Sequence, residues 1–581
     1  MQKKSFDLIK IVSLVCIFFN FYNINSFADV VPADKDTTID TTVDLQGSIK
    51  ENRTYNITNS AVYRIEAPIN SSSYSISKTG NGTLVFNDTN ISNFSADIII
   101  TNGTVAASNN NTLGTGTVRL NGGTLSSDST GARSLNNAIS VQVSSELGDA
   151  TNSGALTLSG NLDFTTGDLI LSSRSNNEIS GTINLFNSNQ TFNIDNSVTQ
   201  TMSGNVGNGT LTKSGSGILL LSGTNTYTGD TNISAGTLNV SGQLNSGSYS
   251  GEIDNSSTFT FSSNSDQTLS GDITGSGTLT KSGSSTLILS GTNTYSGTTT
   301  ISDGTLTLSG TLSDNTAVTV ESGAIFDINN SDTIGSIAGA GTIDITSKEV
   351  LTVGGDNSST IFSGTIQSDD GTGTGALTKE GTGSLTLSGN NNFGGAVNVD
   401  AGSLIISSNN ALGNTNNLTT VDLGATIDFQ NVNYSTAETL RNSGTISNST
   451  GTSTFAGSIT LFENSTVDVD GTQLTLSGVI TDSATRSLEK TGTGILELTA
   501  DNSYTGGTTI TEGTLLVSGS GDLGTGALTI SSAGTLDLQN TLSVSSLVIS
   551  GAGSGNRINN SDADGTTANL TVSGTSTLNG A

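Results

Sequence analysis

Residues 209–238 read GTLTKSGSGILLLSGTNTYTGDTNISAGTL, and residues 277–306 read GTLTKSGSSTLILSGTNTYSGTTTISDGTL, matching at 23 of 30 positions. A third copy, 375–404, reads GALTKEGTGSLTLSGNNNFGGAVNVDAGSL, and a fourth, 486–515, reads RSLEKTGTGILELTADNSYTGGTTITEGTL. All four keep one spacing from a lysine (Lys213, Lys281, Lys379, Lys490) to an aromatic (Tyr227, Tyr295, Phe393, Tyr504). A closing glycine also stands at constant distance from each lysine, at Gly236, Gly304, Gly402 and Gly513. A looser copy near 74–105 runs from Lys78 through Phe94 to Gly103, with two extra residues before the aromatic. Self-similarity at fixed spacing is the signature of a repeat architecture.

Within each copy, leucines stand at i and i+2: Leu219/Leu221, Leu287/Leu289, Leu385/Leu387 and Leu496/Leu498. That spacing puts both on one face of a strand. The residue between them varies (Leu220, Ile288, Thr386, Glu497), and the glutamate marks the outward face. The pairs Leu238/Val240, Leu306/Leu308, Leu404/Ile406 and Leu515/Val517 repeat the alternation. Between them come Gly223, Gly291 and Gly389 (Ala500 in the fourth copy), then Asn225, Asn293, Asn391 and Asn502. Gly and Asn tolerate positive φ and are expected to form tight corners. Counting by twos from Leu211 aims Lys213 inward. A turn is therefore expected there, leaving the lysine stem on apolar surface and its ammonium in water. The aromatic is expected to be a stacked core or corner residue.

One strand–corner–strand unit cannot bury its apolar face alone, so neighbours must stack on it. The segments 113–125, 317–328 and 523–538 carry the same grammar of short alternating strands around Gly. The expected fold is all-β: a long right-handed parallel β-helix, or β-solenoid, of roughly 20–25 residues per coil. The only prolines are Pro32 and Pro68, near the start, which suits uninterrupted strand pairing beyond them.

Composition narrows the function classes. The chain of 581 residues has 72 glycines, no His, no Trp and a formal charge of −30. Nucleic-acid surfaces need clustered Lys and Arg, so no nucleic-acid partner is expected. Residues 1–28 read as a secretory signal: Lys3, Lys4 and Lys10, an apolar run from Ile11 to Phe21, and Ser26 and Ala28 before a cleavage at Asp29. The apolar run is too short to span a bilayer comfortably. Cys16, the single cysteine, lies inside that run, so a mature chain would carry no thiol.

These residues resemble the passenger-associated repeat of autotransporters, also called the autotransporter-associated β-strand repeat. Its hallmark is a G-x-L-x-K-x-G-x-G-x-L-x-L-x-G-x-N-x-aromatic-x-G run ending in x-x-G-x-L. The fourth copy departs from it at Arg486 and Ala500. The resemblance implies export by type V secretion, display at the outer membrane or cell surface, and a role for the repeat in passenger folding. It also implies an outer-membrane translocator barrel as partner. No barrel pattern precedes the final TLNGA, so the barrel is expected on another chain, or the chain is a truncated product. The expected organisation is a signal peptide at 1–28, a leading or cap segment at 29–75 and a β-helical passenger at 76–581.

The residue inventory excludes much chemistry. Without His or a mature Cys there are no His-dependent triads, Cys nucleophiles, or His/Cys metal sites. A carboxylate pair is the remaining enzymatic option, at Asp369/Asp370 or at Asp562 with Asp564, but acidic residues in Gly/Ser/Asn loops are ordinary turn formers. Asn560, Asp562, Asp564 and Gly565 imitate the start of a calcium loop, yet Thr571 holds the place of the closing glutamate, so a solvated turn is expected. No catalytic, cofactor-binding or metal residue is assigned, and no cofactor is expected. The function expected is a surface-displayed stalk of adhesin or surface-antigen type, meeting a host-cell or bacterial surface receptor. The alternatives are a secreted β-helical polysaccharide lyase or glycosidase, and an inert remnant of a truncated gene.

Overall fold

The computed structural model describes residues 29–32, 37–39, 43–46, 51–58, 60–65, 71–87, 94–129, 131–149, 154–369, 373–414, 418–435, 438–550, 557–562 and 567–579. The signal segment 1–28 with Cys16, and also Pro68, Asp370, Asp564 and Gly565, lie outside the described residues. The chain divides into two compact units, residues 1–159 and residues 160–581.

Each unit is a parallel β-solenoid. In the second, one coil consists of Ile253–Asn255, Thr258–Phe261 and Gln267–Leu269. The next consists of Ile273–Thr274, Thr278–Lys281 and Thr286–Leu289. All three strands lie in parallel register on their counterparts one coil earlier: Ile273 on Ile253, Leu279 on Phe259, Leu287 on Gln267. In the first unit, Arg53–Ile57, Ile76–Thr79, Ile98–Ile100 and Val118–Asn121 stack in the same manner. The strands Asp29–Pro32 and Val43–Gln46 pair in parallel with each other and stack on Val62–Ile65, a second column of the same unit.

Coil length varies more than the sequence suggests. A short coil brings Ile343 beside Phe326, whereas a distinctly longer one brings Leu377 beside Leu351. Corners absorb the difference, because a parallel ladder fixes register only where strands face each other.

Side chains mostly alternate between inside and outside, as in Thr278–Lys281 and Thr286–Leu289. The leucine pairs at 219/221, 287/289, 385/387 and 496/498 are all buried, as are Leu238/Val240 and their counterparts. They form continuous inner columns, for example Leu219–Leu238–Phe259–Leu279. Glu497 points outward and accepts hydrogen bonds from Gln473, Thr475 and Ser518 in the coils on either side. Burying one such leucine is worth about 1.5–3 kcal/mol, and deleting it adds a cavity cost. Leu287→Ala is accordingly expected to destabilise by about 2–4 kcal/mol, whereas Ile288→Thr next to it stays within about 0.5 kcal/mol, measured as urea unfolding of the full chain.

Candidate functional site

The repeated lysine is the chemical centre of the unit. Strand Val206–Ser214 continues through Lys213, whose side chain is completely buried, and Lys78, Lys281, Lys379 and Lys490 are buried likewise. The expected turn before the lysine is absent, and the ammonium does not reach water. The alternation counted from Leu211 simply holds, because the interior provides acceptors at that point. Lys213 Nζ donates to the carbonyls of Ser214 (2.9 Å), Gly215 (2.6 Å) and, from the next coil, Ala235 (2.9 Å). Lys281 makes the same set with Ser282, Gly283 and Asp303. Lys379 uses Glu380, Gly381 and Ala401, and Lys490 uses Thr491, Gly492 and Glu512. Lys78 uses Thr79, Gly80 and Asn102, so the looser copy builds the same clamp despite its two extra residues.

Three protons on the ammonium thus meet three carbonyls, two on the lysine's own coil and one on the coil above. Burial lowers the pKa of Lys78, Lys213 and Lys490 to about 8, and lowers those of Lys281 and Lys379, partly offset by nearby acidic groups. The glycine that closes each repeat follows from this geometry. Gly236 has φ +68°, and a Cβ there would lie 2.8 Å from Lys213 Nζ and 2.5 Å or less from the carbonyl oxygens of Gly215 and Gly217. Gly103, Gly304, Gly402 and Gly513 are hemmed in the same way.

The corner residues also depart from expectation. Asn225, Asn293, Asn391 and Asn502 do not adopt positive φ; they are buried bridges between coils. Asn293 Oδ1 accepts from the N–H of Ile273 below (3.1 Å), and its Nδ2 donates to the carbonyl of Thr311 above (2.9 Å). Asn225 joins Val206 to Gln243, Asn391 joins Ile366 to Ala411, and Asn502 joins Ile480 to Asp522. Gly223, Gly291 and Gly389 are likewise not at positive φ. They are glycine because a Cβ would meet the backbone of the glycine one coil below, at 2.3 Å for Gly223 against Gly204 O.

The aromatic is a buried core residue, and where it is tyrosine its hydroxyl bonds a threonine, which in the case of Thr231 is shared with Tyr249. Tyr227, Tyr295 and Tyr504 bond the hydroxyls of Thr231 (3.0 Å), Thr299 (2.6 Å) and Thr508 (2.6 Å), each four residues on. Burial pushes these phenols far above their usual range, so they stay protonated. Where the aromatic is Phe393 or Phe94, the residue four on is Val397 or Ile98, both buried. Hydroxyl and partner come and go together, as the cost of an unpaired buried hydroxyl demands. This pairing is visible in the sequence as Tyr-x-x-x-Thr against Phe-x-x-x-Val/Ile; the carbonyls that hold the lysine are not.

Of the acidic candidates, Asp369 and Asp562 are among the described residues. Asp369 is exposed, with φ +44°; its Oδ2 accepts from the N–H of Ser347, and its own N–H donates to Asp344. Asn560 Oδ1 accepts from the N–H of Asp562, an ordinary Asx turn, and Thr571 lies on a strand beside Ser543. Among the described residues, no three His, Cys, Asp or Glu side chains converge as a metal-binding group, and no helix is long and apolar enough to cross a membrane.

Five segments match the family model of the passenger-associated-transport-repeat: residues 76–107, 211–240, 279–308, 377–406 and 488–517. No curated protein and no solved structure matches the chain. Five such repeats on a parallel β-solenoid fit an autotransporter passenger.

Substitutions test the lysine clamp and the tyrosine–threonine pair separately. Lys281→Met leaves three buried carbonyls without a donor and is expected to destabilise by about 2–4 kcal/mol, read as faster hydrogen exchange over 279–308. Tyr295→Phe alone is expected to lose about 1–2 kcal/mol, and adding Thr299→Val to recover most of it, since the pair then reproduces Phe393/Val397. A double-mutant cycle on thermal unfolding reads the coupling directly.

Proposed function

Proceeding from a passenger-type solenoid with five transport repeats, we propose that the chain is exported and displayed at the cell surface as an adhesin or surface antigen. The observation that supports this best is the uniformity of the repeat. All five copies bury a lysine, hold it with carbonyls from two coils and seal it with a glycine, while the intervening coils vary freely in length. Such a device serves the integrity of a stacked, thiol-free body and performs no chemistry on a ligand. The partner that the repeat implies is an outer-membrane translocator barrel, with residues 1–28 as the export signal. Outward faces rich in Thr, Ser and Asn, together with the chain's formal charge of −30, keep the displayed body soluble.

The test uses intact cells producing the chain. Antibody raised against residues 209–308 is expected to label unbroken cells, and external protease is expected to remove the label. Label seen only after lysis contradicts surface display.

A further inference from the structure

The coils between the fourth and fifth repeat matches contain an interior carboxyl that shares none of the repeat's completeness. Glu438, at the entry to the strand Thr439–Asn442, is fully buried. Its Oε1 accepts one hydrogen bond, from Thr419 Oγ1 at 2.6 Å, and its Oε2 has no partner. That strand and the next continue the deficit: Asn442 Oδ1 and Asn448 Oδ1 are also buried and unpaired, although the amide nitrogen of each is bonded. Three orphaned oxygens therefore fall between Glu438 and Asn448, whereas every repeat lysine carries a full set of acceptors.

A carboxylate in such a place is strongly disfavoured, because a buried charge without a counter-charge carries its whole desolvation cost. Among the described residues, no counter-charge faces it. The inward residues of the strands packed on either side, Thr419 and Val421 below and Ile459 and Leu461 above, are uncharged. The charged groups of these coils lie elsewhere: Asp422 and Arg441 are exposed, Glu463 pairs with Arg486, and Asp428 is engaged by Gln430 and Ser449.

We propose that Glu438 and the stacked strands Leu418–Val421, Thr439–Asn442 and Ser458–Leu461 form a proton-dependent joint of the solenoid, closed while the Glu438 carboxyl is neutral and loosened when it ionises. Burial raises this carboxyl from its ordinary 4.5 to about 7. The folded state therefore holds the proton between about pH 4.5 and 7 while the unfolded chain has lost it. The neutral carboxyl's stabilising effect is greatest at acidic pH, and it diminishes as pH rises through that window. Above pH 7 both states are ionised and the folded one bears the desolvation penalty.

The test is hydrogen exchange of the full chain at pH 6 and pH 8, corrected for intrinsic rates and read peptide by peptide. Exchange over 418–461 is expected to be about tenfold faster at pH 8 than at pH 6, one pKa unit's worth of opening. Residues 279–308 should show no such change. Glu438→Gln is expected to abolish the difference by keeping the pH 8 rate low. Thr419→Val, which removes the only donor to the carboxyl, is expected to speed exchange further at pH 8. A pH effect that persists in Glu438→Gln, or its absence from the unsubstituted chain, overturns the proposal.

Discussion

A buried ammonium has to be met by oxygen, and in this protein the oxygens come from two successive coils at once. Each repeat lysine takes two carbonyls from the turn that follows it and a third from the residue preceding the closing glycine, one coil further on. Much of the repeat follows from that single requirement. The glycine two positions after the lysine turns the chain back so that its carbonyl faces the ammonium; Gly215 does so at φ +73°. On the next coil, Gly236 leaves room beside the Nζ of Lys213. Lysine and closing glycine recur together because both coils must be in register for the third bond to form, and the two extra residues of the copy from Lys78 to Gly103 leave that bond in place.

The asparagine and tyrosine serve the same end by different chemistry. An amide has a donor and an acceptor, so Asn293 can bond the coil below and the coil above together. A phenol needs only one partner, and a threonine four residues along provides it. The repeat is a bundle of coil-to-coil ties, each fully satisfied, on an otherwise ordinary apolar ladder. Buried polar groups are costly when half-satisfied and rigidifying when complete, which explains why these residues recur as a set.

Much of this was legible in the chain itself. The leucine pairs at i and i+2, the outward Glu497 and the stacked parallel form all follow from period-2 alternation between glycine corners. The position of Lys213 was legible too, since alternation placed it inside; the expectation that a charge must reach water displaced the correct inference. Sequence cannot display free carbonyls, and these decide whether a buried lysine is tolerable. The corner asparagines were misread for a related reason. Asn is suited equally to positive φ and to a buried amide bridge, and only the register of neighbouring coils tells the two apart. The spread in coil length, from the Phe326/Ile343 step to the Leu351/Leu377 step, was hidden because corners leave no periodic trace.

The central claim is that the repeats are the tightest joints of the solenoid, and native-state hydrogen exchange across the whole chain tests it most directly. Islands of strongest protection are expected over 76–107, 211–240, 279–308, 377–406 and 488–517, with faster exchange in the coils between them. Uniform protection along the chain, or repeats that open before their neighbours, would contradict it.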